Sequence, residues 1–154
     1  MPVSDELAIF LAQYLIWMTA LAVPYLWFKR ERHDLLRIAV SVIFAFAVAE
    51  IIKTLTAVPR PFVAGGFEPL IAVSPRDFYG SFPSGHATLA AALAAAIFFT
   101  EKIPGLFILL IGILVGWGRV LVGVHFPLDI LAGLVLGTAV SASFKVIHDR
   151  FPVW

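Results

Sequence analysis

Long apolar stretches alternate with short connections rich in charge, proline or glycine along the whole chain. Apolar residues dominate positions 7–28, 35–55, 87–99, 104–124 and 127–146. A membrane-spanning α-helix needs about 20 such residues, and the third stretch reaches that length only if the preceding sequence PSGH at 83–86 begins the helix. The pattern predicts an all-α fold, a polytopic transmembrane helical bundle with about five spans.

Composition agrees with this prediction and leaves no room for a separate soluble domain. The 154 residues are 61% hydrophobic and 14% charged, with a mean hydropathy of +0.98, which is too apolar for a soluble protein of this length. We therefore expect a single transmembrane domain over residues 1–154. A net charge of +1 gives no basic excess to attract nucleic acid. The lack of cysteine excludes disulfides and cysteine nucleophiles.

Positive charges are distributed unevenly between the two ends of the predicted spans. One side has most of them: Lys29, Arg30, Arg32, Arg37, Lys102, Lys145 and Arg150. By the positive-inside rule this side is cytoplasmic, which predicts an extracytoplasmic N-terminus and a cytoplasmic C-terminus in the cell membrane. Asp5 and Glu6 precede the first span instead of cations, so we expect it to be retained and not removed as a signal peptide.

The longest connection, over residues 57–82, follows the second span and is rich in proline and glycine. We expect an irregular extracytoplasmic loop there, which either carries function or covers it. Arg76, Asp77 and Tyr79 lie late in this loop. They are equally compatible with gating a site and with simple solvation.

Ionisable residues at the outer ends of the spans form three clusters. Such residues are costly in a membrane and are therefore functional candidates. Lys53 closes the second span, and Arg60 and Pro61 follow it. The sequence PSGH, which contains Ser84, Gly85 and His86, opens the third span. The third cluster links the fourth and fifth spans and contains Arg119, His125 and Asp129.

The chemistry of these residues points to a phosphate ester or anhydride. Arginine offers a planar fork of donors to phosphate oxygens, lysine adds a point charge, and the start of a helix binds anions. Asp129 follows His125 by four residues, across a proline suited to a helix start, so it can orient the imidazole as in a catalytic triad. His125 is then the candidate nucleophile and His86 the candidate general acid.

These clusters resemble the signature of the type 2 phosphatidic acid phosphatase superfamily. The chain matches K-x6-RP with Lys53, Arg60 and Pro61, PSGH with residues 83–86, and SR-x5-H-x3-D with Arg119, His125 and Asp129. Gly118 stands where the family has serine, a change expected to affect packing or one hydrogen bond. The motifs lie within residues 53–129.

The resemblance implies a metal-independent phosphatase that needs no cofactor. His125 would attack phosphorus, Asp129 would support it, and His86 would protonate the leaving group, giving a phosphohistidine that water hydrolyses. The phosphoryl oxygens would be held by Lys53, Arg60, Ser84, Gly85 and Arg119. Glu50, three residues before Lys53, could either merely neutralise that lysine or tune its position, and we favour the neutralising role.

The apolar composition favours a lipid phosphate over a soluble substrate, with the bilayer as the other partner and no obligatory protein partner evident. The stretches around Arg60 and His125 look like those of small bacterial undecaprenyl diphosphate phosphatases. Phosphatidylglycerophosphate and phosphatidate remain alternative substrates. A lipid phosphotransferase would use the same phosphohistidine, and an anion or proton-coupled transporter would also place charges in a membrane.

Overall fold

The chain folds into a bundle of α-helices in the computed structural model, which describes residues 4–29 and 32–151. In chain order the helices are α1 (Asp5–Lys29), α2 (Arg32–Thr56), the short α3 (Pro61–Gly65), α4 (Gly85–Phe98), α5 (Lys102–Leu121) and α6 (Pro127–Arg150). The described residues form no β-strand beyond one isolated bridge. The predicted all-α fold is confirmed.

Helix α4 is shorter than the four helices α1, α2, α5 and α6. Helices α1, α2, α5 and α6 are long and apolar enough to cross a membrane. Helix α4 begins at Gly85 with Ser84 as its N-cap, as the PSGH sequence predicts, but it has 14 residues. At 1.5 Å per residue it is about 21 Å long, less than the roughly 30 Å hydrocarbon thickness of a bilayer. A crossing by this segment stays a prediction.

Helix α4 is nevertheless the central helix of the bundle. Ten of its residues are buried, and most of these are alanines. It packs against α2, α5 and α6. The closest approach is to α6, where a Cβ atom on Gly137 would lie 2.2 Å from the carbonyl oxygen of Thr88. Small residues on both helices permit this close packing without large side chains.

Helix α1 is irregular and packs against α5. A π-helical segment over Phe10–Tyr14 and a 3-10 segment over Leu15–Leu21 interrupt its α-helical hydrogen bonding. At Gly118 of α5 a Cβ atom would lie 2.6 Å from the backbone nitrogen of Ala12. A serine side chain at this position would therefore collide with the α1 backbone, which gives a packing reason for the glycine.

Two helices end at different residues from the apolar stretches. The fourth apolar stretch runs to position 124, but α5 ends at Leu121. Gly123 adopts a left-handed φ of 81° there, and this reverses the chain direction whatever the hydropathy of its neighbours. The last apolar stretch ends at 146, whereas α6 continues to Arg150. Its final turns are polar, with an ion pair between Lys145 and Asp149, and hydropathy alone does not detect such turns.

The connection between α2 and α4 has more regular structure than expected. Its two arms pair where Arg60 N–H donates to the Phe78 carbonyl at 3.0 Å and Gly80 N–H donates to the Val58 carbonyl at 2.9 Å. The side chains of Phe62 and Ile71 pack in a small apolar cluster with residues of α1 and of the α5–α6 turn. The loop is thus fixed against the same end of the bundle that carries Lys53 and Asp129.

The two groups of cations lie at opposite ends of the bundle. In α2, Arg37 lies near the start and Lys53 near the end. In α6, the start is marked by Asp129, which belongs to the same group of ionisable residues as Lys53, and Lys145 lies near the other end. This separation fits the predicted charge asymmetry, and the orientation of the termini stays a prediction. Arg30 lies outside the described residues.

Candidate active site

His125 and Asp129 contact each other at the start of α6. Pro127 is the first residue of the helix and Phe126 its N-cap. Asp129 Oδ2 accepts a hydrogen bond from the Phe126 N–H at 2.8 Å and lies 3.3 Å from His125 Nδ1. Both side chains are buried. Since a carboxylate can only accept, the His125 proton lies on Nδ1 and Nε2 presents its lone pair.

Arg60 specifies the same tautomer from the other side of the ring. Its Nη1 lies 3.3 Å from His125 Nε2 and donates to the Val124 carbonyl at 3.0 Å, while its Nε donates to the Asp77 carbonyl at 2.5 Å. A guanidinium has no acceptor, so only an unprotonated Nε2 can face it. The imidazole therefore presents a bare nitrogen to the cationic side of the site.

The surroundings of His125 keep its ring neutral. Burial is the largest cause that lowers its pKa, to about 4, and the positive charges of Arg60 and Arg119 act in the same direction. The hydrogen bond to Asp129 opposes this shift. At neutral pH the ring is unprotonated, as a nitrogen nucleophile must be. Burial also lowers the pKa of Arg60, but a guanidinium remains charged.

Lys53 reaches the site from the end of α2 and lies against the start of α4. Its amine hydrogen-bonds to Glu50 Oε1 at 2.5 Å and lies 6.0 Å from the centre of the Phe46 ring. A Cβ atom on Gly85 would lie 2.8 Å from this amine. The predicted Glu50–Lys53 pair is present, and the glycine is what lets Lys53 lie across the helix N-terminus.

Ser84 ties the start of α4 to the start of α6. It is fully buried, its hydroxyl accepts from the Ala87 N–H at 3.5 Å, and its own N–H donates to the Asp129 carbonyl at 3.0 Å. The next N–H groups, of Gly85 and His86, have no acceptor within the helix and favour an anion. The half-buried His86 ring lies within electrostatic range of Arg119 and His125.

Arg119 completes the set from the last turn of α5. Its Nε is buried and has no hydrogen-bond acceptor among the described residues. The side chain lies close enough to Arg60 for the two positive charges to repel each other. A buried donor and two adjacent guanidinium groups are the arrangement expected where a polyanion is to be bound.

Ser81 belongs to this site but was not predicted from the sequence. Its side chain is 0% exposed, its hydroxyl donates to Asp129 Oδ2 at 2.5 Å, and its Oγ lies 3.5 Å from His125 Nδ1. It is placed there because its N–H bonds to the Val58 carbonyl where the arms of the loop pair. A serine in a loop carries no periodic or charge signal, so only the three-dimensional pairing identifies it.

The structure brings together all eight residues that the sequence singled out, from four helices and the loop: Lys53, Arg60, Ser84, Gly85, His86, Arg119, His125 and Asp129. In contrast, Arg76 and Tyr79 have exposed side chains, and Asp77 holds Arg60 through its backbone carbonyl. Three cations, a helix start and a neutral imidazole can bind a phosphoryl group and attack it.

Comparison with known proteins identifies the family. A family model described as the PAP2 superfamily matches residues 34–152, which include every site residue named above. The chain belongs to the PAP2 superfamily. This confirms the resemblance found in the three sequence clusters, since PAP2 denotes type 2 phosphatidic acid phosphatases.

Relatives in the PAP2 superfamily include proteins named for lipid phosphate hydrolysis. The chain is 31% identical to undecaprenyl-diphosphatase BcrC of Bacillus subtilis over 96% of its length and 76% of that protein. It is 34% identical to an undecaprenyl-diphosphatase of Sulfolobus acidocaldarius over 97% of its length and 73% of that protein.

A solved PAP2 structure has the same fold. The transmembrane PAP2-type phosphatidylglycerolphosphate phosphatase of Bacillus subtilis superimposes with a TM-score of 0.68 and 25% identity, over 95% of this chain and 75% of that one. Together with the apolar helices, this similarity shows a multi-pass membrane protein.

Proposed function

We propose that this PAP2 protein is a lipid diphosphate phosphatase that converts undecaprenyl diphosphate to undecaprenyl phosphate through a phosphohistidine on His125. The observation that carries the proposal is the fixed tautomer of His125, whose Nδ1 faces Asp129 at 3.3 Å and whose Nε2 faces Arg60 at 3.3 Å. This geometry presents a neutral, oriented nucleophile beside three cations.

In the first step His125 Nε2 attacks the terminal phosphorus. The P–N bond forms as the bond from that phosphorus to the bridging oxygen breaks, and His86 donates a proton to the departing lipid phosphate. Asp129 stabilises the positive charge that develops on the ring. Water then attacks the phosphorus and gives a proton to His86 as the P–N bond breaks, which releases inorganic phosphate and restores both histidines.

The three cations and the start of α4 stabilise the charge on the transferring group. Arg60 must release His125 Nε2 and turn its donor to a phosphoryl oxygen, and Arg119 offers its unpaired Nε–H. Lys53 lies next to the Gly85 N–H. Such preorganised donors are the main source of catalysis in phosphoryl transfer, and on this basis we propose a mechanism without a metal ion.

The choice of undecaprenyl diphosphate rests on two relatives named undecaprenyl-diphosphatases, at 31% and 34% identity. The residues proposed to bind phosphate would recognise a phosphoryl group, and a prenyl diphosphate needs no further polar recognition. Phosphatidylglycerophosphate is the second candidate, because the structural relative is a phosphatase for that lipid.

Phosphate release from a panel of substrates tests this function. Purified protein in detergent with excess EDTA would be given undecaprenyl diphosphate, phosphatidylglycerophosphate, phosphatidate and a soluble phosphate ester. We expect the prenyl diphosphate to be preferred and His125→Ala to be inactive while folded. Release from none of the four substrates, or rates restored only by magnesium, would contradict the proposal.

The role of His86 can be separated from that of His125 by the leaving group. A general acid contributes about 10²–10⁴-fold where the leaving oxygen is basic. We expect His86→Ala to lose this factor on phosphatidate, whose leaving group is a basic alkoxide, but to lose little on p-nitrophenyl phosphate, whose leaving group needs no proton. An alkaline quench should trap phosphohistidine in His86→Ala and none in His125→Ala. Equal losses on both substrates would refute the assignment of His86.

A further inference from the structure

A second buried cation lies at the end of the bundle opposite the active site. The Arg37 side chain is 2% exposed. Its Nη2 donates weakly to the Ala96 carbonyl at 3.4 Å and lies 3.7 Å from Asp34 Oδ1. Its Nε and Nη1 have no acceptor among the described residues. Buried donors on a charged group are costly to leave unpaired, so this guanidinium is set up to bind an acceptor from outside the chain.

A cavity between α2 and α6 is lined in part by Arg37 and has room for a ligand. It has a volume of about 150 Å³ and is lined by Leu36, Arg37, Val40, Phe144, Ile147 and His148. A water molecule occupies roughly 30 Å³, so the space exceeds what one water fills. The Nδ1 of His148 is also buried and without a hydrogen-bond partner among the described residues. Arg37 and His148, which come from different helices and each have an unpaired buried nitrogen, thus both line one apolar cavity.

The rim of the cavity is apolar and faces outward from the bundle. Leu36, Val40 and Ile147 are all exposed, and in a membrane they contact lipid chains. Asp34 forms an ion pair with Arg37 at 3.7 Å but lies beyond hydrogen-bond distance, and Asp149, which also interacts electrostatically with Arg37, is paired with Lys145. Neither carboxylate accepts a hydrogen bond from Arg37 Nε or Nη1. A ligand that carries an anionic oxygen on a hydrocarbon body matches both the base and the rim.

We propose that this cavity binds the phosphate of an anionic membrane phospholipid. The phosphate oxygens accept from Arg37 Nε and Nη1, and His148 Nδ1 makes a further hydrogen bond. The acyl chains lie along Leu36, Val40 and Ile147. Arg37 and Lys53 are 16 residues apart on α2, which is about 24 Å along a helix. The site is therefore in the opposite leaflet from the catalytic residues and separate from them.

Native mass spectrometry with phosphatidylglycerol tests the proposal. We expect the protein to retain one phosphatidylglycerol in preference to phosphatidylcholine. Arg37→Gln should weaken this binding at least tenfold, whereas Arg60→Gln, which removes the buried guanidinium at the other end, should keep it. Equal loss in the two variants, or full retention in Arg37→Gln, would overturn the proposal.

Two further measurements keep the test independent of folding and of the lipid's source. Val40→Trp would fill the mouth of the cavity from an exposed position and leave Arg37 in place, so it should lose the lipid without loss of thermal stability in detergent. Retention of the lipid by this variant would contradict the placement.

Inorganic phosphate at millimolar concentration should not displace phosphatidylglycerol. Displacement by phosphate alone would show an anion site without a lipid component. Because binding is the readout, failure here is distinguishable from failure of the proposed phosphatase activity.

Discussion

Ser81 offers a direct test of how the active site is organised, through the single change Ser81→Ala. The substitution removes the hydroxyl that donates to Asp129 Oδ2 at 2.5 Å and leaves the backbone bond of Ser81 to Val58 intact. Asp129 keeps two other contacts, from the Phe126 N–H and from His125. The carboxylate therefore stays in place but loses one of the three groups that fix its direction.

The size of the effect follows from the type of bond. A hydrogen bond to a charged group is worth about 1.5–3 kcal/mol, and each 1.36 kcal/mol of lost transition-state stabilisation is tenfold in rate. The corresponding range is about 10-fold to about 150-fold. We expect the lower end, about 10-fold in kcat, because two contacts to Asp129 remain. KM should change little, since Ser81 contacts the nucleophile pair and no phosphate-binding cation.

Ser141→Ala is a matched control for this experiment. Ser141 is also 0% exposed and also donates one hydrogen bond, to the Ala92 carbonyl at 2.8 Å, but it lies in the middle of α6, away from the site. Phosphate release should be measured for both variants together with their melting temperatures. A fall in kcat in Ser81→Ala alone supports the positioning role. Unchanged or increased kcat, or an equal fall in both variants, would refute it.

Three further predictions concern the nucleophile His125, the Glu50–Lys53 ion pair and the close packing of α4 against α6. The ring of His125 should stay neutral above pH 5 and protonate only as the pH falls towards its pKa of about 4. ¹⁵N NMR of the labelled ring, whose signal is assigned by its loss in His125→Gln, would measure this, and a midpoint near the ordinary 6.5 would contradict the prediction. Glu50→Gln should remove the negative charge that lies 2.5 Å from the Lys53 amine, so vanadate should inhibit at a lower concentration. Weaker inhibition would mean that Glu50 positions the lysine. Gly137→Ala places a Cβ atom 2.2 Å from the Thr88 carbonyl oxygen. Overpacking of this kind lowers the free energy of unfolding by about 1–3 kcal/mol, so the melting temperature should fall by at least about 2 °C. An unchanged melting temperature would refute the close packing.

Much of the active site could be predicted from the sequence because charged residues in an apolar chain are conspicuous. Lys53, Arg119 and Asp129 interrupt hydropathic stretches at the ends of spans, and Pro127 marks the helix start that places Asp129 opposite His125. Ser81 could not be found in this way. Its position depends on pairing between the two arms of a long loop, and neither arm has a hydrophobic period that predicts the register.

The fold was predicted to a similar extent. Hydropathy located the helices to within a few residues, but it missed the end of α5, where the backbone of Gly123 decides the boundary. The reason for Gly118 was also out of reach, since it depends on how closely α1 approaches α5. Such approaches are set by packing between segments distant in the chain, and they leave no local pattern.

The alanine-rich centre of the bundle reverses the usual relation between residue size and mutational tolerance. In α4 the buried positions are small, such as Ala90 and Ala92 at 0% exposure, whereas large residues such as Trp17, at 72%, and Leu128, at 70%, face outward. Outward positions need only remain apolar to suit lipid, so leucine, isoleucine, valine and phenylalanine should interchange freely there. Inward positions have no spare volume. In a library of all single substitutions, alanine-to-leucine changes in α4 should be among the most damaging, although they increase hydrophobicity.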